Sequence, residues 1–98
     1  MILIQELQLE DALTTADHFL AEDMSWDAGR PLEQQLAHAS FQFEAARRAL
    51  AIANRLSDPA ARKKHRSRIM GMLNKLRASL FRLQDAIAGE IEAMQQES

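Results

Sequence analysis

Between Ile69 and Met94 an apolar residue returns every third or fourth position: Ile69, Leu73, Leu76, Leu80, Leu83, Ile87, Ile91 and Met94. A stripe of that period lines one face of a helix and cannot line a strand, whose faces alternate every second residue. Held for more than three heptads, it is the seam of a long helix packed lengthwise on other helices. Glu90 interrupts one seam position, and the seam continued backward lands on Arg62 and Arg66.

The rest of the chain agrees with a helical reading. Ala and Leu fill 30 of the 98 positions, Val and Tyr are absent, and only three Gly and two Pro interrupt the sequence. Helix formers dominate and strand formers are scarce. Leu9, Leu13, Ala16 and Leu20 mark a first helix over about 5–23, with Glu6, Glu10 and Asp11 in the early turns that the helix dipole favours for acids. Pro31 suits the first position of a second helix over about 32–56. That helix has two apolar rows. Leu36, Phe43 and Leu50 with a column of alanines form one, and Phe41, Ala45, Ala49, Ile52 and Leu56 form the other. Ser57-Asp58-Pro59 stops it and starts a third helix over about 58–94, with Ser57 or Asp58 as cap.

The expected fold is all-α: one domain over 1–98, a three-helix antiparallel bundle with a long C-terminal helix. At 1.5 Å per residue the second helix is roughly 37 Å long and the third roughly 55 Å. Leu83 lies where the second helix begins, and Ile87, Ile91 and Met94 overhang it. A second chain covering that overhang would make a homodimer through helix packing, and a different protein docking there is the competing expectation.

Charge is uneven along the chain. Residues 1–33 carry eight acids and one base, residues 34–68 eight bases and two acids, and the net charge is −2. Five bases, Arg62, Lys63, Lys64, Arg66 and Arg68, fall within seven residues. They are a candidate anion site for nucleic-acid phosphate or an acidic partner. The bland alternative is neutralisation by the acids of the first helix, with Asp17 near Lys75. No aromatic residue is interleaved with the bases, as a single-strand binder would have it.

Trp26, the single tryptophan, sits in an acidic loop, where it either caps the bundle end or anchors a partner. Met70, Met72 and Met94 with Phe81 read as core filling or as an adaptable apolar groove. His18, His38 and His65 form no metal-ligand or catalytic set, and there is no phosphate loop, nucleophile elbow or zinc-protease motif. With no cysteine, a disulfide framework and thiol catalysis are excluded. No catalytic residue, metal or cofactor is therefore expected.

No apolar run is long enough to span a bilayer, and the opening Met-Ile-Leu-Ile is too short for a signal segment. These features suggest a soluble cytoplasmic protein, and the Arg and Ala usage suggests a bacterial gene. The leading expectation is a non-enzymatic protein–protein interaction module: a small adapter, chaperone or assembly subunit. It would bind itself and another protein through Leu83, Ile87, Ile91, Met94 and Trp26. The alternatives are a nucleic-acid-binding regulator using the basic corner and an enzyme whose site forms between chains.

Overall fold

The computed structural model describes residues 4–22 and 29–97, so Trp26 lies outside the described residues. Three helices account for 92% of what is described, and no strand occurs among the described residues. Helix α1 is Ile4–Glu22, α2 is Leu32–Arg55 and α3 is Pro59–Gln96. Each packs on the other two, in an assembly 63 Å long and under 20 Å across.

The corners follow from local chemistry. Pro31 precedes α2 as its cap residue rather than opening the helix, and its carbonyl accepts from the Gln34 and Gln35 amides. Its ring fixes φ near the value the first turn needs, while its ψ of 144° keeps it outside the helix. Leu56 ends α2 with an extended backbone. Asp58 caps α3: its Oδ1 accepts from the Ala60 amide at 3.0 Å, and Pro59 occupies the first turn, where a missing N–H costs nothing.

The core is narrow and alanine-rich. Leu9, Ala12, Leu13, Ala16 and Leu20 of α1 meet Ala45, Ala46, Ala49 and Ala53 of α2, with Leu56, Ala61 and Met72 closing it. Leu9 and Leu13 are fully buried, which contributes roughly 1.5–3 kcal/mol each. The small side chains on α2 let α1 come close.

Of the apolar columns read on α2, the alanines face inward and the large residues do not. The large column Leu36, Phe43 and Leu50 is not the core. Leu36 and Phe43 are exposed and Leu50 is half-buried, because the alanine face turns inward and carries the large column to its flank. Phe41 is also exposed and stacks on Phe19 with ring centroids 6.1 Å apart. Of the residues read as core filling, Met72 alone is buried, whereas Met70, Phe81 and Met94 are exposed. In the first turns of α3, where the seam continued backward lands on Arg62 and Arg66, a core face exists beside it: Ala61 and His65, four residues apart, are both buried.

Gln42, Ser79 and His65 are buried polar residues, and the first two are bonded to each other. Gln42 has no exposed surface, its Nε2 donates to the Phe19 carbonyl at 3.2 Å, and its Oε1 accepts from Ser79 Oγ at 2.6 Å. The set joins all three helices. A buried amide without these partners would be costly, so it fixes how the helices slide along one another.

Candidate functional site

The third helix outlasts its neighbours. Leu83 and Ala86 are half-buried, and every residue from Ile87 to Glu97 is exposed. At 1.5 Å per residue the bare end is on the order of 15 Å long. Ile87, Ile91 and Met94 are 37%, 52% and 61% exposed. Sequence reasoning singled out these three, but the exposed apolar surface is larger than they are.

The surface runs back along α3 and across to α2. Leu73 and Leu80 are 38% and 45% exposed, in line with Ile87. Beside Leu80 on α2 lie Phe43 and Leu50, and Leu36 is exposed two turns before Phe43. Phe43, Ala46 and Leu50 join Leu76 and Leu80 in lining one open groove of about 340 Å³, with Arg47 as its polar edge. The signal for this extension was in the sequence: α2 carries more apolar columns than one neighbour needs. Only the packing decided which column was left outside.

The basic corner divides in two. Lys64 and Arg68 turn toward α1. Lys64 Nζ lies 4.0 Å from Glu6, and Arg68 lies 3.5 Å from Asp17, which Lys75 also reaches at 3.8 Å. Arg62, Lys63 and Arg66 face the opposite way and have no ion-pair partner among the described residues. They rim a second groove of about 360 Å³ whose floor includes Leu50, Ala53 and Ile69. The two grooves share Leu50, so the apolar face continues into a cationic end.

The other charged features are local. Arg47 Nε donates to Glu44 Oε2 at 2.9 Å. This hydrogen bond, aided by the charges of Arg47 and Arg48, holds the Glu44 carboxyl below its ordinary range, and Glu44 in turn raises Arg47. Both are exposed, one turn apart on one helix, and form no enclosed site. Among the described residues no group of three His, Asp or Glu side chains is spaced to hold a metal, and no helix is long and apolar enough to cross a membrane.

The arrangement offers an apolar strip along two helices with cations at one end and a bare, acid-bearing helix at the other, where Asp85, Glu90, Glu92 and Glu97 lie. The chain matches no protein-family model, no curated protein and no solved structure.

Proposed function

We propose that this protein is a non-enzymatic protein–protein interaction module, of the adapter, chaperone or assembly-subunit kind, and that it docks helices on the exposed apolar face of α2 and α3. On this reading the chain is an antiparallel three-helix bundle that dimerises through α3. The Gln42–Ser79 bond and the short corner at Asp58 support opposite directions for α2 and α3, and the Glu6–Lys64 and Asp17–Lys75 pairs support a common direction for α1 and α3.

The observation that carries the proposal is the row Leu73, Leu80, Ile87, Ile91 on α3, with Phe43 of α2 beside Leu80 and Leu36 two turns before Phe43, all more than a third exposed. A contiguous apolar surface of this kind marks an interaction site. A photo-reactive amino acid at Leu80, inside the row, should cross-link to protein in cells that make the chain. The same group at Phe81, exposed but about 100° round α3 from Leu80 and outside the row, should label far less. Equal labelling at both positions, or none at Leu80, contradicts the reading.

The unpaired Arg62, Lys63 and Arg66 favour one second reading, a nucleic-acid-binding regulator using the corner between α2 and α3. Its test is a gel shift with random DNA and RNA, in which affinity should fall steeply with salt. The apolar floor between those cations suits an amphipathic helix better than a phosphate backbone, which supports a protein partner over nucleic acid.

A further inference from the structure

We infer that the occupant of the exposed face is a second copy of this chain, with the two α3 helices antiparallel and crossing at the level of Ala78; the inference rests on the interaction-module reading above. Its basis is the spacing of the seam. Ile69, Leu73, Leu76, Leu80, Leu83 and Ile87 are placed symmetrically about residue 78. Leu73, Leu80 and Ile87 are exposed, while Ile69, Leu76 and Leu83 are half-buried, Ile69 and Leu76 against the chain's own core, so each pair of the register joins an exposed residue to a half-buried one. Turned end for end, the row superposes on itself: Ile69 meets the partner's Ile87, Leu73 the partner's Leu83, and Leu76 the partner's Leu80. Antiparallel helices pack by layers of this kind, each with one residue of the first seam column and one of the second, and two-fold pairing is the commonest symmetry of soluble oligomers.

The same register accounts for two of the three charged residues at seam positions, Arg66 and Glu90; the third, Arg62, falls opposite the partner's Met94. One layer beyond Ile69, Arg66 occupies a seam position, and its counterpart in this register is the partner's Glu90. Each is exposed, and neither has an ion-pair partner in its own chain among the described residues. Arg66 rims the groove floored by Leu50, Ala53 and Ile69. The antiparallel register brings to that groove the bare end of the partner's α3, with Ile87, Ile91 and Met94 for the floor and Glu90 for the cations. The two-fold axis makes the arrangement twice. A parallel, in-register pair would instead set Arg66 against Arg66 and Glu90 against Glu90, which is unfavourable. The overhang of each chain and the cationic groove of the other are thus the two halves of one contact.

The test uses the full chain in sedimentation equilibrium. Arg66→Glu alone and Glu90→Arg alone should each weaken the dimer by roughly tenfold, because two layers are affected at once. The double variant Arg66→Glu/Glu90→Arg should recover most of that loss. Neither position touches the core, so circular dichroism should be unchanged in all three. Because the chain lacks cysteine, Ile69→Cys and Ile87→Cys report the register directly. Mixed and oxidised, the two variants should form a disulfide-linked heterodimer, while Ile87→Cys alone should not link to itself. A dimer indifferent to the charge swaps, or self-linking of Ile87→Cys, overturns this register and leaves the interaction face standing. A chain that stays monomeric at every concentration overturns the second copy as occupant. If Leu80 then labels another protein, the interaction module survives; if it labels nothing, both readings fall.

Discussion

Ser79 Oγ donates a 2.6 Å hydrogen bond to Oε1 of Gln42, a side chain with no exposed surface, and so ties the middle of α3 to the first half of α2. Ser79→Ala would leave that oxygen buried and unpaired. The expected loss is about 1–3 kcal/mol of unfolding free energy, read from urea denaturation followed by circular dichroism. A loss within error of zero would show that the core does not depend on this bond.

Leu13 is fully buried in a core cluster made mostly of alanines. Alanine side chains cannot reach across a gap left by a truncated leucine. Leu13→Ala should therefore fall in the range for poorly relaxing sites, about 3–5 kcal/mol, again by denaturant unfolding. Leu73→Ala, on the exposed face, should cost far less in a dilute monomer and more at concentrations where chains associate.

The helical architecture was legible in the sequence because each of its signals is local. The α3 seam, the Asp58 cap and the Ile87–Met94 overhang all depend on spacing along one helix. Asp17 was also placed near Lys75 from helix levels alone, and the two lie 3.8 Å apart. Which apolar column of α2 faces inward was not legible. Leu36, Phe43 and Leu50 outrank alanines on any scale of hydrophobicity, yet the alanines are buried because small side chains permit the closer helix contact. His65 gave no sign of being buried either, since it sits among five bases. Its burial follows from its place one turn after Ala61, a three-dimensional fact.

His65 is 4% exposed, and its Nε2 is buried without a hydrogen-bond partner among the described residues. Removing a buried polar atom that pairs with nothing should help. His65→Leu is expected to stabilise the chain by about 1 kcal/mol, measured as a rise in the urea midpoint. Destabilisation by a similar amount would mean that the imidazole has a bonding role at this corner.

Gly71 and Gly89 lie within α3, and a methyl group added to either would meet no atom within 4 Å. Alanine restricts the unfolded chain more than glycine does and favours the helix. Gly71→Ala and Gly89→Ala should each add about 0.5–1 kcal/mol of helix stability, visible as a higher thermal midpoint. Lower stability at high protein concentration only would place a partner chain against that position.

The central claim is that the exposed face of α2 and α3 is an interface, first of all with another copy of the chain. Multi-angle light scattering over a hundredfold range of concentration measures this most directly. The account predicts a mass that rises to twice the 11.1 kDa of the chain, and a Leu80→Asp variant that remains helical but stays at the single-chain mass. A native chain that holds the single-chain mass across the whole range would contradict it.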